Sequence, residues 1–166
     1  MVMARWRRGA TTVLLGAALW GLAAAPAWAC FGARLRVGVP TGSAGALAAF
    51  AVGFFVEEKT GIEPEFVELE GAPQQAFADH TVDVVLATED VAPPKGAELR
   101  SAGAVPGMGA ARFWIHPEVL DDLRFFTVDR ALGRAGVLFS SPAYATAATS
   151  GEAPRKAARQ AVLHAE

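Results

Sequence analysis

Leu35-Arg36-Val37-Gly38-Val39-Pro40-Thr41-Gly42-Ser43 opens the stretch, running on to Asp90, whose reading decides the fold. Leu35 to Val39 is apolar apart from Arg36, which suits a strand buried on both faces, and Pro40 ends it because proline cannot donate to a ladder. Thr41-Gly42-Ser43 is a small-residue turn. Ser43 is the expected N-cap of a helix from Ala44 to Thr60, and Gly61 stands where a left-handed cap residue belongs. Pro64 to Leu69 reads as a second strand, placed at the outside of the sheet by its acids. Gly71 and Ala72 lead into a short helix over Pro73–His80, with Pro73 in the first turn. Val82 to Ala87 is a third strand, followed by Thr88-Glu89-Asp90. Strand, helix, strand, helix, strand predicts a three-layer α/β lobe on a parallel sheet, its first strand central between the other two.

The long helix is apolar on nearly every side. Leu47, Phe50, Ala51 and Phe54 share one face with Glu58, while Val52 and Val56 lie opposite. Such a helix is either a crowded core element or a face that meets a second lobe or another chain.

Past Asp90 the pattern loosens into Pro, Gly and Ala up to Gly109. A short strand is expected near Leu99–Ser101 and a better one at Ala111–His116, stopped by Pro117. Pro117–Leu123 reads as a helical turn and Thr127–Leu132 as a short helix capped by Thr127. Gly136-Val137-Leu138-Phe139 is the last apolar run. Residues 30–140 are thus assigned to one lobe. Residues 141–166 are expected to be a loosely ordered tail, with a helix over Ala153–His164 as its one structured candidate.

The N-terminus reads as a secretory signal peptide. Arg5, Arg7 and Arg8 precede an apolar core from Ala10 to Ala25, and Ala27-Trp28-Ala29 fits a small-x-small cleavage site, so residues 1–29 are expected to be removed. Removal takes those three arginines from the 15 basic residues and none of the 17 acids, leaving a mature charge of about −5. That balance argues against nucleic acid as the main partner. Cys30, the only cysteine, excludes an intramolecular disulfide. Its place directly after the cleavage site makes it a lipidation candidate, although Trp28 departs from the small residue usual there. The protein is therefore expected outside the cytoplasm, touching a membrane only through such an anchor.

In open parallel sheets ligands bind beyond the carboxyl ends of the strands, where loops meet helix N-termini. Thr41, Gly42 and Ser43, Gly71 and Ala72, and Thr88, Glu89 and Asp90 are accordingly the expected ligand-binding residues. Backbone N–H groups at Ser43 and Ala72 suit a carboxylate, and Glu89 and Asp90 an amine or quaternary ammonium on the same solute. Trp114, with Phe113 and Tyr144, supplies the aromatic side chains an ammonium cage would need. No catalytic set emerges. Gly38-x-x-x-Gly42-Ser43-x-Gly45 lacks the Lys-Ser/Thr of a phosphate loop, and His80, His116 and His164 are widely spaced without metal-ligand spacing. No cofactor and no metal are expected, and the chain does not read as an enzyme.

The signal peptide, the Leu-Arg-Val-Gly-Val-Pro start, Phe54-Phe55-Val56-Glu57-Glu58-Lys59-Thr60-Gly61, and the passage from Pro73-Gln74-Gln75-Ala76-Phe77 to Val82-Asp83-Val84-Val85 together resemble bacterial type 2 extracytoplasmic solute-binding proteins. The nearest branch is the one that serves ABC transporters of glycine betaine and choline. The resemblance covers Leu35 to Asp90. It implies capture of a small polar or zwitterionic solute, a betaine or an amino acid, for a transporter permease. It also implies two lobes, whereas residues 30–166 accommodate little more than one. A reduced member, a lobe completed by a second binding lobe, and a non-catalytic accessory lobe of the cell envelope all remain open.

Overall fold

The computed structural model describes residues 34–165; the signal-peptide assignment and Cys30 lie outside them. Five strands form one sheet: β1 (Leu35–Val39), β2 (Pro64–Glu68), β3 (Val84–Thr88), β4 (Glu98–Val105) and β5 (Gly109–Ile115), in the order β2-β1-β3-β5-β4. β1 pairs parallel with β2 on one side and with β3 on the other, so the first strand does stand between the second and third. β5 runs antiparallel to both β3 and β4, which makes it the one reversed strand of the five. The sheet is therefore mixed, not wholly parallel. The cause is a tight hairpin at Pro106-Gly107-Met108 that the Pro/Gly texture concealed. Gly107 has φ +82° there, and a Cβ on it would stand 3.0 Å from that of Ala44.

Helices cover both faces of the sheet. α1 (Ser43–Thr60) ends at Gly61, which takes the left-handed conformation (φ 74°) and donates its N–H to Glu57. Its side chains from Leu47 to Val56 are buried except Phe50, which packs half-buried against the core. The helix is thus a crowded core element. It lies so close to β2 that a Cβ on Gly53 would come within 2.5 Å of the Phe66 ring. α2 (Pro73–Ala78) covers the other face, where Phe77 meets Leu69, Val82, Val85, Ala87 and Trp114 in a smaller core.

The chain after β5 is helical throughout: α3 (Pro117–Asp121), a 3₁₀ turn (Leu123–Phe125), α4 (Val128–Leu132), α5 (Ala135–Phe139), α6 (Pro142–Thr149) and α7 (Pro154–Leu163). One expectation is corrected here. The last apolar run, Gly136–Phe139, lies in α5. The supposed loose tail is α6 and α7, and α7 packs along α1 with Ala157, Ala158, Ala161 and Val162 buried. Small alanines let the two helices approach closely, so burial follows from fit more than from side-chain hydrophobicity. Tyr144 of α6 is completely buried against Phe139, ring edge to face at 5.2 Å. No described helix is long and apolar enough to cross a membrane.

Candidate functional site

Because β1, β2 and β3 are parallel, the turns that follow them open on one edge of the sheet. Thr41, Gly42, Ser43, Gly71, Ala72, Glu89 and Asp90 are exposed there and Thr88 is half-buried. Ser43 is not the cap. It is the first helical residue, and Gly42, at φ 107° and ψ 140°, occupies the N-cap position without any side chain to offer. Only glycine takes that conformation cheaply. An 18-residue helix therefore starts with no side-chain cap and no acid in its first turn. Its leading N–H groups and the positive end of its dipole face the strand edge unanswered by any side chain. α2 begins at Ala72 and Pro73, also without a side-chain cap, but with six residues its dipole is small.

The edge does not form a single pocket around these residues. Ser43 lines a cleft of about 580 Å³ together with Leu47, Gly107 and the α6–α7 corner at Thr149, Glu152 and Ala157. Gly71, Ala72, Thr88, Glu89 and Asp90 are not among its walls. Those walls are small and apolar, and Glu152 is their only charge, paired at 2.8 Å with Lys156 one helical turn on.

The acids after β3 are less available than their composition implies. A hydrogen bond from the Thr88 side chain, followed by one from the backbone of Asp90 itself and by the charge of Arg112, holds the Asp90 carboxyl below its usual range. Arg112 of β5 stands opposite Ala87 and donates Nη2–H to the Glu89 carbonyl. Sequence reasoning missed it because an arginine inside a strand reads as a solvated outward side chain.

Trp114 is no part of a cage. It is 0% exposed in the α2-side core, edge to face with Phe77 at 6.5 Å, and its Nε1–H has no partner. Strand alternation puts it on the α2 face of the sheet, and Phe113 and Tyr144 are buried as completely in the core on the other face. The cluster of phenylalanines that does face cations, Phe50, Phe54 and Phe66, is filled internally. Arg155 lies 5.4 Å from the Phe66 centroid and Arg159 4.3 Å from that of Phe54.

At the opposite edge, a polar cavity of about 260 Å³ collects residues the spacing kept apart. Arg36 forks onto Asp83, with Nη2 to Oδ1 at 2.5 Å and Nε to Oδ2 at 3.2 Å. Asp83 also accepts the backbone N–H of Arg36 at 2.8 Å, and Arg36 Nη1 donates to the His80 carbonyl at 2.6 Å. The bond to Asp83 raises the Arg36 pKa above its ordinary value. His116, 7% exposed, is stacked between Phe77 at 3.8 Å and His80 at 4.3 Å, with Nε2 2.8 Å from the Phe77 carbonyl. Every guanidinium nitrogen of Arg36 is engaged, which gives the cluster the character of a tie between β1, α2 and β3. Among the described residues no group of three or more His, Cys, Asp or Glu is placed to hold a metal ion.

No protein-family model, curated protein or solved structure matches the chain. The chemistry therefore rests on this geometry and on the resemblance carried by Leu35–Asp90.

Proposed function

We propose that the chain is an exported solute-binding protein, or a reduced homologue of one, which takes up a small zwitterion at the carboxyl edge of β1–β3 and serves an ABC transporter. The observation that carries this reading is the uncapped start of α1 beside the cleft of about 580 Å³. A ligand carboxylate at Ser43 would answer N–H groups that no side chain answers, and small apolar walls suit methylated or aliphatic groups. The central position of β1 agrees with the arrangement the resemblance implies. The acid nearest an ammonium in this cleft is Glu152, whose carboxylate is shared with Lys156.

An open site on one sheet edge buries a ligand incompletely, so affinity on the order of micromolar to millimolar is expected. Thermal-shift and calorimetric titration with glycine betaine, choline and amino acids tests the reading, because a ligand of the folded state raises stability. A flat response across the panel overturns it. Export is checked separately: the mature chain recovered from the cell envelope should begin at Cys30, with or without added lipid mass, and an intact Met1 refutes it.

A second reading, an accessory envelope lobe that pairs with another protein, is favoured by one observation. Leu123 and Phe126 are 86% and 71% exposed next to each other around the 3₁₀ turn. Co-purification of a second envelope protein that is lost on Leu123→Ser/Phe126→Ser, together with a flat solute panel, decides for it.

A further inference from the structure

We propose that β4 is a self-pairing edge: two copies of this chain join along it, antiparallel and across a two-fold axis, with Glu98 of each copy opposite Arg100 of the other. β4 and β2 are the outer strands of the sheet, each paired on one side only. β2 is guarded against such pairing. Pro64 has no N–H to donate, and Glu65 and Glu68 are both exposed and of one sign. β4 is eight residues long and holds neither proline nor lysine. It exposes Leu99, 39% accessible, with Glu98 before it and Ser101 after. Its bulge falls between Ser101 and Gly103, so the run from Glu98 to Ser101 is regular.

The hydrogen bonds of β5 fix which backbone groups of that run are free. Glu89 N–H donates to Ala110 O and His116 N–H to Asp83 O, so the even-numbered residues of β5 turn their backbone groups toward β3. Phe113 and Ile115 turn theirs toward β4, onto their register partners Arg100 and Glu98. The N–H and C=O of Leu99 and Ser101 therefore face away from the sheet. The Leu99 carbonyl agrees: Arg100 Nη1 donates to it at 3.0 Å, and a carbonyl has a second lone pair for another donor. In a two-fold antiparallel pair, outward groups meet outward groups only when the axis passes through a residue. An axis at Glu98 or at Arg100 sets like charges face to face, and one at Ser101 runs into the bulge. An axis at Leu99 puts both Glu98–Arg100 pairs in register, exchanges two N–H···O bonds between the Leu99 residues, and lays one leucine against the other. Arg100 holds Asp129 through Nε at 2.8 Å, and its Nη2 has no hydrogen-bond partner among the described residues. Leu99 stands opposite Trp114, so the leucine contact extends the α2-side core. Two backbone bonds, two surface ion pairs and one apolar contact make a small interface, with a dissociation constant on the order of 10 µM to 1 mM.

Sedimentation equilibrium of the purified protein up to about 1 mM, joined to backbone amide exchange on dilute and concentrated samples, reads the proposal directly. A reversible monomer–dimer equilibrium is expected. The Leu99 N–H should exchange freely in the monomer and slowly in the dimer, while the Arg100 N–H, held in the ladder, is slow in both. Glu98→Arg puts a second guanidinium opposite Arg100 in both pairs and should weaken dimerisation about tenfold or more. Leu99→Lys, at an exposed position, should do the same by facing two ammonium groups across the axis. An unchanged melting temperature of the dilute variants shows that each is folded, and the exchange of the wild-type Leu99 N–H keeps the test valid if one of them melts early. A chain that stays monomeric throughout overturns the proposal. So does a dimer whose Leu99 N–H exchanges as fast as in the monomer, or one that neither substitution weakens, since its interface then lies elsewhere. None of these results bears on solute binding at the Ser43 cleft.

Discussion

Tyr144 shows how one buried atom acquires a measurable consequence. Its hydroxyl has no partner and its ring no exposure, and burial pushes its pKa up to about 12 from 10.0. Below pH 10 the phenol is neutral in both folded and unfolded chains and adds no pH dependence. Between pH 10 and about 12 the unfolded chain loses its proton and the folded one keeps it, so stability falls as pH rises, by roughly 3 kcal/mol across the window. The chain has a single tyrosine. Tyrosinate absorbance near 295 nm should therefore appear together with unfolding, not before it; a titration near pH 10 with the fold intact would contradict the burial. Other residue-scale features were partly written in the sequence. Arg36 and Asp83 are lone charges in two buried runs that must neighbour each other, so their pairing was legible. Arg112 and the stacked His80 and His116 were not, because only the antiparallel return of β5 creates their surroundings.

The elements were legible where hydrophobicity was high and punctuation strong. β1, α1, β2, α2 and β3 follow from apolar runs separated by Pro and Gly, which impose their own turns. The later elements failed that test. α7 places Ala157, Ala158, Ala161 and Val162 at helical spacing, but alanine carries little hydrophobic signal, so a core-completing helix looked like a tail. Its contribution is open to a direct check. Ala158 is fully buried under α1, and Ala158→Glu would place an unpaired carboxylate there. A cost of about 3 kcal/mol or more is expected in urea denaturation, enough to unfold a marginal domain. Ala153→Glu, an exposed position before the same helix, serves as the control and should stay within about 0.5 kcal/mol of the parent. Equal stability of the two variants would return residues 154–163 to the status of a loose tail.

On the scale of the whole molecule, the sheet separates two cores that share its strands. The larger one joins β1 to α1, α4–α7 and the alternate residues of β5, including Tyr144; the smaller holds Trp114 and Phe77 under α2. Neither is independent, because Val84 and Val85, or Phe113 and Trp114, are consecutive residues facing opposite ways. Loss of strand pairing for one face removes it for the other. The described residues should therefore unfold as one cooperative unit, even though α2 is short and its core small. Trp6, Trp20 and Trp28 all precede Cys30, which leaves Trp114 as the one tryptophan of a chain processed there and a specific reporter of the α2 side. Its fluorescence, the near-ultraviolet signal of Tyr144 on the other side, and far-ultraviolet ellipticity should trace superimposable urea transitions. An earlier Trp114 transition would mean that α2 and its core open while the α1 side persists. The turns at Gly71–Ala72 and Thr88–Asp90 would then be carried on a separately melting layer, and ligand at that edge would stabilise the first transition only.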